Sequence, residues 1–235
     1  KILITGCSGF IGIHLLQALT TLNSKKKNII HGIDIIKPKK KIDKFKFFKR
    51  NLLKVSSKGI PKIKYDYIIH LAGIPSPTYY KQNPLGTIFL NSNLAEILLK
   101  KSKQDKSKFI YFSSSEIYGD PDPLNIPTRE DYYGHVSSIG DRSCYDESKR
   151  LGETICYLFK NNENKKVKII RPFNFYGDYM RKNDNRIIPK FINQAMNNED
   201  ITIFSHGKQT RSYCNINDAI KMIKNICIEG TNFVY

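Results

Sequence analysis

The stretch that decides the fold is Ile2-Leu3-Ile4-Thr5-Gly6-Cys7-Ser8-Gly9-Phe10-Ile11-Gly12. Its first four residues form the short apolar run of a buried strand, and the apolar residues beyond it recur with the period of a helix. The intervening glycines allow a tight turn, close approach of an anion to the backbone amides, and close packing of helix on strand. The stretch therefore predicts a strand, a phosphate-binding turn and a helix, in that order.

A second apolar run, Ile29-Ile30-His31-Gly32-Ile33-Asp34, ends in an acid. It lies about 20 residues past the turn, where a carboxylate binds the ribose of a dinucleotide. Asp34 therefore favours NAD over NADP. A turn residue at a strand end is the structural alternative for Asp34, and the basic residues from Lys37 onward leave NADP open.

Short apolar strands alternate with helical segments along the rest of the chain. We predict strands at 67–71, 109–113 and 167–171, and helices near 84–103 and around Tyr145. Such alternation predicts an α/β fold with a Rossmann-type, doubly wound parallel sheet. Right-handed crossovers then bring the strand ends Thr5, Asp34, Leu71 and Ser113 to one edge, where such sheets bind ligands.

The pattern loosens after Arg171, with further helices predicted near 187–197 and 216–228. We therefore expect an NAD-binding domain at 1–171 and a small substrate-binding lobe at 172–235, interleaved with the first. The sequence starts without a Met and stops in a strand-like segment at 233–235. We expect the chain to be a fragment whose substrate lobe is truncated.

Composition limits the possible classes of protein. The chain has 235 residues and is 40% hydrophobic, enough for a sizeable core. It shows neither an apolar run of about 18 residues nor a signal peptide, which predicts a cytoplasmic protein without a membrane partner. Five cysteines without paired metal-ligand spacing predict free thiols and no metal site.

A formal net charge of +18 invites a nucleic-acid interpretation, especially across the basic tract 37–50, where Phe45, Phe47 and Phe48 are interleaved. However, Lys, Asn and Ile abound throughout the chain, and these Phe residues alternate as in a strand with one buried face. We therefore predict no specific nucleic-acid partner. The positive field would help to collect a doubly charged nucleotide substrate.

Tyr145 and Lys149 lie four residues apart in Tyr145-Asp146-Glu147-Ser148-Lys149. On a helix this spacing places both side chains on one face. A phenol beside an ammonium is suited to proton transfer, because the ammonium favours the phenolate.

The motifs occur in the order of a known family. The chain resembles, over essentially its whole length, the extended short-chain dehydrogenases/reductases that act on nucleotide sugars. The resemblance rests on the glycine turn, Asp34, His70-Leu71-Ala72, Ser113-Ser114-Ser115-Glu116-Ile117-Tyr118-Gly119, and Tyr145 with Lys149. The stretches at 118–121, 133–136 and 139–150 are most similar to the UDP-glucuronate decarboxylases of that family.

The resemblance implies NAD bound by Gly6, Gly9, Phe10, Ile11, Gly12, Asp34, Leu71, Ala72, Tyr145 and Lys149. It implies a catalytic set of Tyr145, Lys149, Glu116 and Ser114. Tyr145 would take the proton of the sugar C4 hydroxyl, and Ser114, which replaces the usual Thr, would bond the C4 oxygen. Glu116 would act as an acid or base near the carboxylate or C5; a solvated loop acid is its structural alternative.

The resemblance also implies substrate contacts by Tyr80, Ser115, Asn174 and Arg211. Tyr80 would lie near the substrate carboxylate, and the Arg211 guanidinium suits a carboxylate or diphosphate through bidentate bonding. Helix-edge packing, a turn and a surface position are the alternatives for Tyr80, Asn174 and Arg211, respectively.

Three functions follow as hypotheses. The first is NAD-dependent decarboxylation of UDP-glucuronate to UDP-xylose through a 4-keto intermediate. The second is a nucleotide-sugar 4-epimerase or 4,6-dehydratase, and the third is a non-catalytic NAD-binding protein. Family resemblance also implies a homodimer formed through the helices near 84–103 and 145–161.

Overall fold

A parallel six-stranded sheet forms the centre of the computed structural model. Residues 1–20, 28–38, 42, 44–162, 166–181, 184, 186–203 and 206–235 are described. The strands are β1 (Ile2–Thr5), β2 (Ile30–Asp34), β3 (Phe45–Lys49), β4 (Tyr67–His70), β5 (Lys108–Phe112) and β6 (Val167–Ile170). Their order is β3-β2-β1-β4-β5-β6, and all neighbouring pairs are parallel. The predicted doubly wound α/β sheet is confirmed.

Helices flank the sheet on both sides. They are α1 (Phe10–Thr20), α2 (Pro77–Gln82), α3 (Pro84–Asn91), α4 (Asn93–Asp105), α5 (Ser143–Asn162), α6 (Ile187–Met196) and α7 (Ile216–Ile228). Short 3-10 turns span Leu52–Lys54, Ser57–Gly59, Ser115–Tyr118 and Pro123–Asn125. Strands β7 (Asn174–Tyr176) and β8 (Tyr213–Asn215) form a separate parallel pair. None of the helices in the described ranges is long and apolar enough to cross a membrane.

Neighbouring residues of β1 enter two different hydrophobic clusters, as a parallel strand covered on both faces requires. Ile4 packs in the cluster that contains residues of α1 and α7, whereas Leu3 packs in the cluster that contains residues of α4 and α5. Both side chains are fully buried. Because α7 shares a core with α1, the C-terminal part of the chain packs on the same sheet as the N-terminal part. The domain boundary at residue 171 stays a prediction.

The helix predicted near 84–103 is interrupted at Ser92. The Ser92 hydroxyl donates to the Ile88 carbonyl oxygen at 2.6 Å, and its backbone lies at φ −116° and ψ −67°. A serine hydroxyl that bonds back to the preceding turn bends a helix, so α3 and α4 form two segments.

Two further predictions at the sheet edges have different outcomes. Phe45 and Phe47 pack on one cluster and Phe48 on the other, so the expectation of a single buried face on β3 is wrong. Residues 39–41 and 43 of the basic tract lie outside the described residues.

At the opposite edge, Val234 forms a parallel bridge with Ile169, where a last strand was predicted.

The sheet reverses its winding between β1 and β4, which are neighbours although β2 and β3 lie between them in the chain. At such a switch point, the loops after the strands separate and leave a crevice. The residues after β1, β2, β4 and β5 therefore meet at one edge of the sheet, which is where the candidate site lies.

Candidate active site

The glycine turn after β1 leaves no room for a Cβ atom at Gly6 or Gly12. Gly6 adopts a positive φ of 70°, and a Cβ atom on it would lie 2.6 Å from the backbone nitrogen of Ala72. A Cβ on Gly12 would overlap the Gly6 carbonyl oxygen. Leu71 N donates to Thr5 O at 3.1 Å, which holds the predicted contact residues Leu71 and Ala72 beside the turn. Phe10 and Ile11 begin α1, whose N-terminus follows the turn.

Asp34 lies at the end of β2 and faces the same turn. Its carboxylate accepts hydrogen bonds from the Ser8 amide at 2.9 Å and from the Ile35 amide at 2.7 Å. The acid is thus held beside the phosphate-binding turn, in the position that a ribose-binding residue of this fold requires.

Tyr145 and Lys149 share one buried face of α5, as the spacing predicted. Each is only 7% exposed. Lys149 Nζ donates to the Phe112 carbonyl oxygen at 2.6 Å and lies 5.8 Å from the centre of the Tyr145 ring. The bond to β5 fixes the ammonium at the carboxyl end of the sheet, beside the phenol.

Burial dominates the proton affinities of this pair. It raises the pKa of the Tyr145 phenol to about 12, although a hydrogen bond with Ser114 opposes the shift. Burial also lowers the pKa of the Lys149 ammonium to about 7, against the attraction of Glu153. Desolvation of the phenolate therefore outweighs the hydrogen bond with Ser114 in this state of the chain.

The residues after β5 lie next to Tyr145. Ser114 caps the 3-10 turn Ser115–Tyr118 by accepting from the Glu116 amide at 3.2 Å. Ser115 N donates to the Pro172 carbonyl oxygen at 3.0 Å, so the turn is fastened to the segment after β6. The structure thus brings Ser114 and Glu116 to the Tyr145 edge.

Arg142, to which the sequence analysis assigned no role, connects two carboxylates at this edge. Its Nη2 forms an ion pair with Glu116 Oε2, and its Nε lies 3.3 Å from Asp146 Oδ2. The four-residue spacing of Arg142 and Asp146 at the start of α5 could have revealed their pairing. The contact with Glu116 joins residues far apart in sequence, so no local pattern predicts it.

Tyr80 packs directly on the candidate proton-transfer residue. The Tyr80 and Tyr145 rings are stacked, with centroids 5.4 Å apart and an interplanar angle of 17°. Tyr80 is 1% exposed, and burial raises the pKa of its phenol. Its ring therefore supports Tyr145 from α2.

Asn174 is the first residue of β7, and Arg211 lies two residues before β8. Asn174 Nδ2 donates to Ser212 O at 3.1 Å, whereas Arg211 is exposed and donates to Thr210 O at 2.7 Å. Within the described ranges, no hydrogen bond or ion pair joins either side chain to Tyr145, Lys149 or Glu116.

His70 is a buried core residue. Its Nδ1 lies 2.8 Å from Thr5 Oγ1 and its Nε2 lies 3.0 Å from Leu90 O. Burial lowers the pKa of the imidazole to about 3, so the ring is neutral and serves to connect β1, β4 and α3.

The site fits a dinucleotide. The backbone leaves no room for a Cβ atom at Gly6 or Gly12, and Asp34 stands at the neighbouring strand end. Buried polar atoms at the same edge are unpartnered among the described residues, namely Asn91 Oδ1 and Ser113 Oγ. Such atoms are commonly satisfied by a ligand or water.

A family model described as "NAD dependent epimerase/dehydratase family" matches residues 2–230. The chain belongs to the NAD-dependent epimerase/dehydratase family. NAD is the cofactor of this family, in agreement with the expectation from Asp34 and the glycine turn.

Members of this family resemble the chain in sequence and in structure. UDP-glucuronic acid decarboxylase 1 of Danio rerio is 34% identical over 231 residues, which cover 94% of this chain and 52% of the relative. UDP-glucuronic acid decarboxylase 6 of Arabidopsis thaliana is 36% identical, covering 98% and 66%, respectively. The chain thus spans about half to two thirds of the length of these two relatives.

Among solved structures, the UDP-glucuronic acid 4-epimerase of Bacillus cereus, in complex with UDP-glucuronic acid and NAD, matches with a TM-score of 0.82 and 29% identity. The match covers all of this chain and 76% of the epimerase. Decarboxylases and epimerases are therefore both similar to this chain.

Proposed function

We propose that the protein converts UDP-glucuronate to UDP-xylose by NAD-dependent decarboxylation through a 4-keto intermediate. The observation that carries this proposal is the position of Glu116 at the same edge as Tyr145, Lys149 and Ser114, in a chain 34–37% identical to UDP-glucuronic acid decarboxylases. The reaction needs a group that exchanges a proton at C4 and a second group that acts at C5.

NAD would be held by the glycine turn, by Asp34, and by Leu71 and Ala72 beside the turn. When bound, it supplies a reversible hydride acceptor for C4 and is regenerated within each turnover. Lys149, fixed by Phe112 O, would contact the cofactor and place a titratable ammonium beside Tyr145.

Tyr145 would accept the proton of the C4 hydroxyl and later return it. Ser114, which hydrogen-bonds Tyr145, would hold the C4 oxygen. The C4 ketone makes the carboxylate of C6 a β-keto acid. Carbon dioxide then leaves, the electron pair of the C5–C6 bond enters an enolate, and the cost of a free carbanion is avoided.

Glu116 would act as the acid or base at C5, where the enolate takes up a proton. Its carboxylate faces the site from the 3-10 turn after β5, and it is half-exposed. We propose Ser115, Tyr80, Asn174 and Arg211 as substrate-binding residues. Tyr80 would shape the pocket wall next to Tyr145, and the exposed Arg211 guanidinium would be available to a diphosphate or carboxylate.

A nucleotide-sugar 4-epimerase is the second candidate, favoured by the similarity to the UDP-glucuronic acid 4-epimerase of Bacillus cereus. Tyr145, Lys149 and Ser114 could serve either reaction, since both begin with oxidation at C4. Glu116 separates them, because a 4-epimerase needs no protonation at C5.

We also propose that two copies of the chain associate through α3, α4 and α5. Apolar side chains on α3 and α5 are exposed, namely Leu85, Leu151, Tyr157 and Leu158. An exposed apolar face of this kind is typical of an association surface. Light scattering of the complete protein should give twice the monomer mass.

The test of the activity is product analysis. The complete protein would be incubated with UDP-glucuronate and catalytic NAD, and nucleotide sugars would be followed by mass spectrometry. A UDP-pentose supports decarboxylation, whereas an isomeric UDP-hexuronate supports the epimerase. Unchanged UDP-glucuronate with a folded, NAD-binding protein would contradict both.

A further inference from the structure

Arg142 stands between the two elements that carry the candidate catalytic residues. It precedes α5, the helix of Tyr145 and Lys149, and it reaches across to Glu116 on the 3-10 turn after β5. Glu116 is half-exposed on a short turn, where a carboxylate without a partner samples several rotamers. The ion pair with Arg142 selects one of them.

Asp146 in turn fixes Arg142. Its side chain is only 11% exposed, and its Oδ2 lies 3.3 Å from Arg142 Nε. Its other oxygen, Oδ1, is buried and unpartnered among the described residues. Burial raises the pKa of Asp146, and the guanidinium of Arg142 opposes that shift. The guanidinium is thus held on one side by a buried carboxylate and on the other by Glu116.

We propose that Arg142 is a positioning residue that holds the Glu116 carboxylate in place relative to Tyr145, with Asp146 as its anchor. The inference rests on the proposed role of Glu116 at C5. Arg142 acts through Glu116, so its removal slows the step that Glu116 serves and has little effect on the affinity for substrate.

A double-mutant cycle tests this coupling in the complete protein. Arg142→Gln should lower kcat for decarboxylation by about tenfold and change KM by less than about twofold. In a Glu116→Gln background, the same Arg142→Gln change should cause almost no further loss. Additive losses, or a raised KM with an unchanged kcat, would overturn the proposal, the latter by assigning Arg142 to direct substrate binding.

Two further variants separate positioning from a loss of folding. Arg142→Lys keeps a cation that reaches a single carboxylate oxygen, and it should recover part of kcat. Arg129→Gln removes an arginine from an exposed ion pair with Asp131, whose Nε–Oδ1 distance is 3.1 Å, and should leave kcat unchanged. Equal losses in Arg129→Gln and Arg142→Gln would contradict a specific role.

A measurement without turnover keeps this inference separate from the proposed function. In the NAD-bound protein, the guanidinium NMR resonances of Arg142, assigned with Arg142→Lys, should shift in both Glu116→Gln and Asp146→Asn. If UDP-glucuronate is not converted but these resonances shift, the proposed decarboxylase function is wrong, and Arg142 still contacts both Glu116 and Asp146. Unshifted resonances would overturn the proposed positioning role of Arg142, whether or not the protein converts UDP-glucuronate.

Discussion

Lys149 Nζ is bonded to the Phe112 carbonyl oxygen at 2.6 Å, and this bond joins helix α5 to strand β5 directly beside Tyr145. Lys149 cannot leave the site without breaking this contact between helix and sheet, and Tyr145 is buried against the ring of Tyr80. We propose that proton transfer at C4 depends on the Tyr145 hydroxyl.

Tyr145→Phe should remove at least about 99% of turnover, since a positioned proton-transfer group contributes about a hundredfold or more. The phenyl ring keeps its stacking on Tyr80, so NAD and UDP-sugar affinities should change by less than about threefold. Calorimetry and steady-state kinetics on the same preparation would show both effects. Substantial residual turnover would exclude Tyr145 as the proton-transfer residue.

Lys149→Met should stabilise the protein more at about pH 6 than at about pH 9.5. Burial lowers the pKa of Lys149 from 10.5 to about 7 in the folded chain. Between these values the unfolded chain binds more protons, so the stability of the parent rises with pH across that window. Below about pH 7, folding of the unmutated protein carries the full free-energy cost of burying the Lys149 ammonium. The methionine side chain of the variant is uncharged and carries no such cost.

Urea denaturation at both pH values measures this difference, which should be at least about 1 kcal/mol in the free energy of unfolding. Lys62→Met, at an exposed lysine, is the matched control and should show no such trend. A pH-independent effect of Lys149→Met would mean that Lys149 is not desolvated in the folded state.

Asp34→Asn should weaken NAD binding by about tenfold, because a charge-assisted hydrogen bond to the ribose becomes a neutral one. The amide oxygen can still accept from the Ser8 amide, so the turn should keep its shape. The affinity for NADP should stay constant or rise, since the negative charge has gone. An unchanged ratio of the two affinities in calorimetric titrations would rule out ribose recognition by Asp34.

Tyr80→Leu should lower kcat by about tenfold, because the Tyr145 ring loses its stacked partner 5.4 Å away. Tyr80→Phe keeps the ring and should retain kcat within about twofold. If the two variants lose activity equally, the hydroxyl rather than the ring is the functional part of Tyr80.

Local sequence patterns were enough to predict the main strands and helices and the glycine turn. The apolar run Ile2–Thr5 became a strand because both of its faces are covered, and the predicted helix at 216–228 has the observed bounds of α7. The glycine turn was predictable because a tight turn beside another backbone restricts residue type at Gly6 and Gly12. Spacing alone placed Tyr145 and Lys149 on one face.

Tertiary contacts explain what the sequence could not show. The stacking of Tyr80 on Tyr145 and the pairing of Arg142 with Glu116 join residues that are far apart in the chain. The Ser92 break depends on a hydroxyl that could equally have faced solvent. The raised pKa of Tyr145 depends on burial, which outweighs the effect of neighbouring charge that the sequence suggested.

Protonation at C5 after loss of carbon dioxide distinguishes the proposed decarboxylation from epimerisation at C4. The most direct test is to run the reaction of the complete protein with UDP-glucuronate and NAD in D2O and to examine the product by proton NMR and mass spectrometry. We expect UDP-xylose with a single deuterium at C5, because the enolate takes its proton from a group that exchanges with solvent. UDP-galacturonate without deuterium would contradict it and establish C4 epimerisation.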